Sequence, residues 1–585
     1  MPNLLPPALG LPAELDAQNE AEALRTDADS LERVPLDRKK NGIFYTPTRA
    51  TQILANWAIQ TREDSVLEPS FGGCGFLAAV LDRLRTLGRV LPEELVCGSD
   101  VDPDAFVFLG KLLTGDFPDH RFLRSDFLAL TNSDFPTRAF TVVIGNPPYV
   151  SLHNMEEEQR STAVRLSEVA GVNLSRKASL WAYFLIHSLS FLDVNGRMAW
   201  ILPGSFVHAD YSAKVRDVLQ SSFRRCLAVQ LEERLFIAEG TEENSVVLLC
   251  EGYGSSQTAE IELARAKDLN DLELTVAAWV AGKRAGVKWE GRASLALLPE
   301  PTRTVWDDIR SRGQTRSLGA FLKVRIGIVT GANKFFVLSE QNANAHSIPP
   351  ECLQPIIGKF AHCRGLVVSD VDLLRNREAG FRCLLVDTRG EIEAKRSLVD
   401  YLNSYPKIYK EQNQTFAKRS TWHLAHDGIR PDGFLSCMQG DGPTLVLNDT
   451  GVTCTNTVHR IFFESGVDNC TQKFLALSLQ GTFAQLSAEL EGRSYGSGGL
   501  KLEPSEAARI LVFEPEISDP DIVDLAFSRA DELIRSGDRS GARAVADELH
   551  VRLGFLSPEE IRSMNNALTQ LRESRRGSRT EKANV

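Results

Sequence analysis

A chain of 585 residues, 43% hydrophobic and 24% charged, is too apolar for a disordered protein and too long for one ordinary core, so two to four folded units are expected. Its net charge of -11 argues against a protein that coats polyanions by charge alone, and no apolar run reaches the about 20 residues of a membrane-spanning helix. The ten cysteines (74, 97, 226, 250, 352, 363, 383, 437, 454 and 470) include no CxxC pair, so neither a zinc ribbon nor a disulfide framework is indicated and no metal is expected.

Residues 1–35 are rich in Pro, Ala and acids without a sustained apolar period and read as a mobile arm; the start, MPNLLPPALGLPAELDAQNE, lacks the positive n-region of a secretory signal, and a cytoplasmic protein is expected. From 36 to 255 short apolar runs alternate with helical periods, the pattern of a mostly parallel α/β sheet with helices on both faces. Strands are expected at 65–68, 95–100, 140–145, 198–202, 227–231 and 245–250, with FLAAVLDRL and SLWAYFLIHSLSFL among the helices between them. In GIFYTPTRATQILANWA, Thr46 is placed to cap a helix with Pro47 at its first position.

VLEPSFGGCGFLAAV (66–80) reads as a strand, an acid at its carboxyl end, a Gly-rich turn and a helix. Doubly wound sheets bind small ligands at such places, because glycine lets the backbone come close and a helix N-terminus is exposed. The turn is neither GxGxxG nor GxxxxGK[ST], which disfavours NAD and ATP. A second strand ends at Asp100, where a carboxylate could hold the two hydroxyls of a ribose. RSDFL then supplies Asp126 and Phe127, an acceptor for an adenine amino group beside an apolar wall. Each acid alone reads as a solvated loop residue; three at successive strand ends are harder to dismiss. The run VVIG then passes into Asn146-Pro147-Pro148-Tyr149, an amide, two rigid rings and a phenol at the end of a buried strand.

Residues 256–290 read as a linker region, 291–515 as an α+β domain of short strands and polar loops, and 516–585 as a helical appendage with a basic, disordered end. Residues 316–366 hold six basic side chains (Arg316, Lys323, Arg325, Lys334, Lys359, Arg364) against two acidic ones (Glu340, Glu351), and YPKIYKEQNQTFAKRSTWH interleaves basic residues with aromatics. Such a half could face a phosphate backbone, although charge alone does not separate that from an ordinary solvated face.

Taken in order, YTP (45–47), EPSFGGCGF (68–76), Asp100, SDF (125–127) and NPPY (146–149) resemble the motifs of the gamma-ordered N6-adenine-specific DNA methyltransferases of type II restriction-modification systems, the Taq-like modification methylases. The likeness runs from about residue 40 to 250 and departs at Cys74, where the commoner pattern has glycine and this chain has Gly75 one place later. It implies a Rossmann-like class I methyltransferase domain with S-adenosyl-L-methionine as cofactor. Thr46 and Glu68 would lie near the methionine part, Pro69 and Gly72 in the turn around it, Asp100 at the ribose, and Asp126 with Phe127 at the adenine.

A target adenine in double-stranded DNA would be flipped out. The Asn146 side-chain oxygen and the Pro147 carbonyl would grip its amino group, turning the lone pair out of the ring plane, while Tyr149 and Phe236 would stack on its faces. LKVRIGIVTGANKFFVLSE, PIIGKFAHCRG, TCTNTVHRIFF and GRSYGSGGLKLEPSEAARILVFEP are similar to pieces of the family's target-recognition domains. They imply that 291–515 forms the far wall of a DNA cleft, with Lys334, Lys359, Arg364, Lys418 and Arg419 on phosphates. A monomer is expected, with any cognate restriction endonuclease as a separate chain, since the arm is too short for a nuclease domain and no PD…(D/E)xK pattern follows 515. The alternatives are methylation of a protein glutamine or of cytosine N4, and a noncatalytic DNA-binding protein on the same scaffold.

Overall fold

A computed structural model describes residues 46–113, 120–151, 155, 157–174, 178–233, 235, 245–390, 392, 394–495, 498–515 and 517–577. The arm at 1–35, Tyr45, Phe236 and the tail from 578 lie outside the described residues. The chain forms two compact units, Met1–Leu297 and Leu298–Val585.

The first unit is built on β1 (Val66–Glu68), β2 (Val96–Asp100), β3 (Phe122–Arg124), β4 (Phe140–Gly145), β5 (Leu192–Pro203), β6 (Arg225–Leu231), β7 (Ser245–Glu251), β8 (Ile261–Ala266) and β9 (Val287–Lys288). They make one nine-stranded sheet in the order β3-β2-β1-β4-β5-β7-β6-β8-β9. Neighbours from β3 to β5 are parallel, and β7 runs antiparallel between β5 and β6. Helices α1 (Thr48–Ala58), α2 (Gly75–Thr86), α3 (Pro103–Leu113), α4 (Glu157–Val169), α5 (Leu180–Ser188), α6 (Ser212–Ser222) and α7 (Leu269–Val280) accompany it.

Strand residues alternate between two cores. Met198, Trp200 and Leu202 of β5 join a core with α5 and α6, whereas Ala199 and Ile201 join one with α1, α2, α3 and α7. A sheet covered on both faces has no polar face to show, so its strands read as unbroken apolar runs. That is why the central strands could be expected from sequence. All nine residues of α5 are buried, as a helix apolar on every side must be.

The expected linker at 256–290 is corrected here: the stretch carries β8, α7 and β9, and Leu272, Val276 and Trp279 of α7 enter the same core as β6. It reads as polar because β8 contains Glu262, yet that carboxylate accepts from the Trp279 indole (3.1 Å) and from the amides of Ala285 (2.8 Å) and Gly286 (3.1 Å).

The second unit contains a five-stranded sheet ordered Leu322–Ile326, Val458–Phe463, Gly433–Ser436, Leu445–Asn448, Val367–Val368. A four-stranded sheet is ordered Val337–Leu338, Leu384–Val386, Leu353–Ile357, Thr453–Cys454. The helices Pro520–Arg535, Arg539–Arg552 and Pro558–Gly577 are not an appendage. Asp547 accepts from the Thr482 amide and hydroxyl, both at 2.7 Å, and Arg572 and Arg575 reach the buried Glu489. Buried charges that depend on distant partners look like surface residues in a sequence. Among the described residues no helix is long and apolar enough to cross a membrane, and all ten cysteines are free.

Candidate active site

Strand register brings the motif residues to one edge. Glu68 lies opposite Gly98 across β1 and β2, Asp100 opposite Arg124 across β2 and β3, and Leu67 opposite Val143 across β1 and β4. The carboxyl ends bearing Glu68, Asp100, Asp126 and Asn146 therefore align where the strand order reverses, between β1 and β4. Such a switch point is where open α/β sheets bind ligands. A Cβ added at Gly145 would stand 3.7 Å from the Glu68 Cγ, so Glu68 and the start of the NPPY segment are neighbours.

The Gly-rich turn is tied to β2 by Asp100, whose Oδ2 accepts from the Gly72 amide and whose Oδ1 accepts from the Asp102 amide, each at 2.8 Å. Gly72 has φ +46° and Cys74 φ +62°, both left-handed. For a non-glycine residue that conformation costs about 1–2 kcal/mol. Cys74 is held there with its thiol buried, near the Gly72 and Ala105 carbonyls, so the turn keeps its left-handed step although glycine is displaced by one place.

Two acceptors at this edge have no partner among the described residues: Glu68 Oε2 and Asn146 Oδ1, both shielded from solvent. Burial first, and the neighbouring charge of Asp100 second, hold the Glu68 carboxyl well above the usual carboxylate range. Burial also raises Asp100, against the amide bonds from Asp102 and Gly72. The Asn146 amide nitrogen donates to the Thr46 hydroxyl at 3.3 Å, which leaves its oxygen as the uncommitted atom. A buried acceptor without a donor costs about 1–3 kcal/mol, and a donor-bearing ligand removes that cost. Pro147 is buried, and the Tyr149 hydroxyl donates to the Ile201 carbonyl at 3.3 Å.

Several expectations are revised. Thr46 is not a helix cap: α1 begins at Thr48, Pro47 occupies the cap position, and its carbonyl accepts from the Ala50 and Thr51 amides. The Thr46 hydroxyl serves Asn146 instead. Phe127 is 1% exposed and packs on Phe184, His187 and Phe191, so it belongs to the core and presents no face to a ligand. Asp126 uses Oδ1 to accept from the Leu128 amide (3.0 Å) and Oδ2 to accept from the Gln159 amide nitrogen (2.8 Å). Gln159 escaped the sequence reading because EEQRSTAVRLSEV shows only a polar helix; its partner is set by the packing of α4. Phe236, expected on one face of the target base, lies outside the described residues.

In the second unit Lys334, Lys359, Arg364 and Lys418 are exposed, and none has a carboxylate partner among the described residues. Arg419 is different. Its guanidinium donates to the carbonyls of Thr330 (3.0 Å), Trp422 (3.1 Å) and Val329, and so braces a loop where a phosphate contact was expected. Arg316 and Lys323 are paired with Glu514 and Glu464, acids from outside the basic stretch.

Two family models match the chain: the Eco57I restriction-modification methylase over residues 116–236, and the C-terminal domain of type II methyltransferase M.Eco57I over residues 290–550. Type II methyltransferase M.AccI of Acinetobacter calcoaceticus is 21% identical over 493 residues, spanning 82% of this chain and 87% of the relative. Type II methyltransferase M.BstVI of Geobacillus stearothermophilus is 24% identical over 447 residues, 67% of this chain and 76% of the relative. The solved structure of the type IIL restriction-modification enzyme MmeI in complex with DNA superposes on 96% of this chain and 78% of its own with a TM-score of 0.53 and 12% identity, a likeness of fold. With family matches in both units and the motif residues gathered at one sheet edge, the protein resembles the modification methyltransferases of type II restriction-modification systems.

Proposed function

We propose that the protein is a site-specific DNA methyltransferase that moves a methyl group from S-adenosyl-L-methionine to N6 of an adenine flipped out of double-stranded DNA. It would act as a monomer and as the modification half of a restriction-modification system whose endonuclease is a separate chain. The observation that carries this reading is the buried Asn146 Oδ1 at the end of β4, which, like Glu68 Oε2 at the end of the neighbouring β1, has no partner among the described residues. The exocyclic nitrogen of adenine is a poor nucleophile because its lone pair is delocalised into the ring. Asn146 Oδ1 and the Pro147 carbonyl would accept its two N–H bonds and turn the lone pair out of the plane. Thr46 holds the amide nitrogen, so the oxygen is the atom left for the target.

When bound, the cofactor supplies an electrophilic methyl group on a sulfonium. The residues present fit it: Glu68 offers a buried acceptor for its ammonium, and Asp100 keeps lone pairs for a ribose while holding the turn. Asp126 lies at the third strand end with one oxygen engaged by Gln159. Asparagine at position 146 favours adenine over cytosine N4, because the cytosine enzymes of the resembling families more often carry serine there.

The test is single-molecule sequencing of DNA from a methylation-deficient host expressing wild type or Asn146→Ala. One short motif carrying N6-methyladenine throughout, lost in Asn146→Ala while cofactor affinity stays within about threefold, is the expected result; removing a transition-state partner of this kind costs about 10²–10³ in rate. Modified cytosine, no modification by soluble cofactor-binding protein, or full activity in Asn146→Ala would sink the reading.

A further inference from the structure

Glu68 and Asp100 close two neighbouring parallel strands, with Glu68 set opposite Gly98 on the strand that ends at Asp100. Both carboxyls are buried, and among the described residues neither forms an ion pair with a lysine, arginine or histidine. The groups around them supply no cation. From the turn comes the buried Cys74 thiol, itself pushed up by burial and then by the two acids. From β4 comes the uncharged Asn146, whose amide nitrogen is held by Thr46. Beyond Asp100 stands another acid, Asp102.

Two carboxylates that share a shielded place without a counter-cation cannot both ionise cheaply, so one of them keeps a proton. The hydrogen bonds decide which. Asp100 accepts from the Gly72 and Asp102 amides, one on each oxygen, and both bonds favour its charged form. Glu68 Oε2 accepts from nothing among the described residues. Burial and the Asp100 charge hold the Glu68 carboxyl high, and the Leu77 amide at the start of α2 lowers it by less. What this place lacks is one positive charge, and an amino-acid ammonium would bring it.

We infer that the empty pocket stores one proton on Glu68, and that S-adenosyl-L-methionine enters by exchanging its ammonium for that proton. The Glu68 O–H bond breaks, the proton passes to bulk water, and the carboxylate left behind pairs with the ammonium, so one positive charge replaces another. Cofactor affinity then rises with pH, by up to about tenfold per unit, until the native titration of Glu68 is passed. The inference rests on the reading of Glu68 as the residue that faces the cofactor's ammonium.

The test is calorimetric titration of the full-length protein from about pH 5 to 7, below the about 7.7–8.0 at which an α-amino group loses its own proton. Each titration is run in two buffers of different ionisation enthalpy, which counts the protons released. Wild type is expected to release about one proton per S-adenosyl-L-methionine bound. 5′-Methylthioadenosine keeps the nucleoside and lacks the amino-acid part, and is expected to bind without releasing one. Glu68→Gln is expected to bind the cofactor with no proton release and an affinity nearly flat in pH. A second readout needs no variant: infrared difference spectra of wild type, corrected for free cofactor, should lose the C=O stretch of a protonated carboxyl when the cofactor binds. Binding without proton release, or release that persists unchanged in Glu68→Gln, would overturn the inference. Equal release with 5′-methylthioadenosine would move the proton to the ribose end, at Asp100, and overturn it as well. A wild type that binds neither ligand would instead bring down the cofactor reading beneath it.

Discussion

Glu68→Gln should make the cofactor-free protein more stable than wild type at neutral pH and leave it unchanged near pH 4. Glu68 is 2% exposed, its Oε2 has no partner among the described residues, and burial together with the Asp100 charge raises its carboxyl in the folded state. An unfolded glutamate titrates near about 4.3. Below that value both states hold the proton and the group contributes nothing. Between it and the raised native value the folded chain binds more protons than the unfolded one, so stability falls with rising pH by up to about 1.4 kcal/mol per pH unit. Glutamine has no such dependence. For a unit of this size about 1 kcal/mol is about 2–4 °C, so as pH rises above the unfolded value the melting temperatures should separate by up to about 3–6 °C per pH unit, variant above wild type. Differential scanning calorimetry from pH 4 to 8 reads this directly, with the relevant transition identified as the one that added S-adenosyl-L-methionine moves. The same substitution should weaken the cofactor about 10–100-fold, the worth of a charge-assisted hydrogen bond of about 1.5–3 kcal/mol. Melting profiles that run parallel across the whole range would refute the assignment of Glu68 as the destabilised carboxylate.

Gln159→Leu removes the amide that engages Asp126 Oδ2. Cofactor affinity by isothermal titration calorimetry should rise about 3–10-fold, as expected for a competing bond of about 1 kcal/mol; an unaltered or weaker affinity would show that Gln159 does not compete for that oxygen. In the second unit, Gly327→Ala drives a Cβ to within 2.1 Å of the Thr455 carbonyl oxygen and should cost about 2–3 kcal/mol or more. Thermal unfolding should show the second unit melting earlier while the cofactor-responsive transition stays in place, and a variant that melts like wild type would count against the tight crossing at Gly327.

What the amino-acid order alone determined is local: the short apolar runs within β1, β2, β4, β5, β6 and β7, the Gly-rich turn after Glu68, and the NPPY segment closing β4. Each depends on residues close in the chain, where period, glycine and proline act directly. Whether a polar side chain is a ligand, a brace or a buried partner was decided by packing. Phe127 followed an acid at a strand end as a ligand-wall residue would, yet lies among Phe184, His187 and Phe191. Arg419 sat in a basic run and turned out to hold the carbonyls of the 329–330 loop, while Glu262 disguised β8 as a linker until Trp279 covered it. The hydrogen bonds that join Thr330 to Asn333 and Asn333 to Asn456 likewise required the register that sets Leu322–Ile326 against Val458–Phe463. Hydrogen-bond partners more than a hundred residues apart leave no periodic mark in a sequence; only the pairing of strands and the close approach of backbones at glycine brings them within reach.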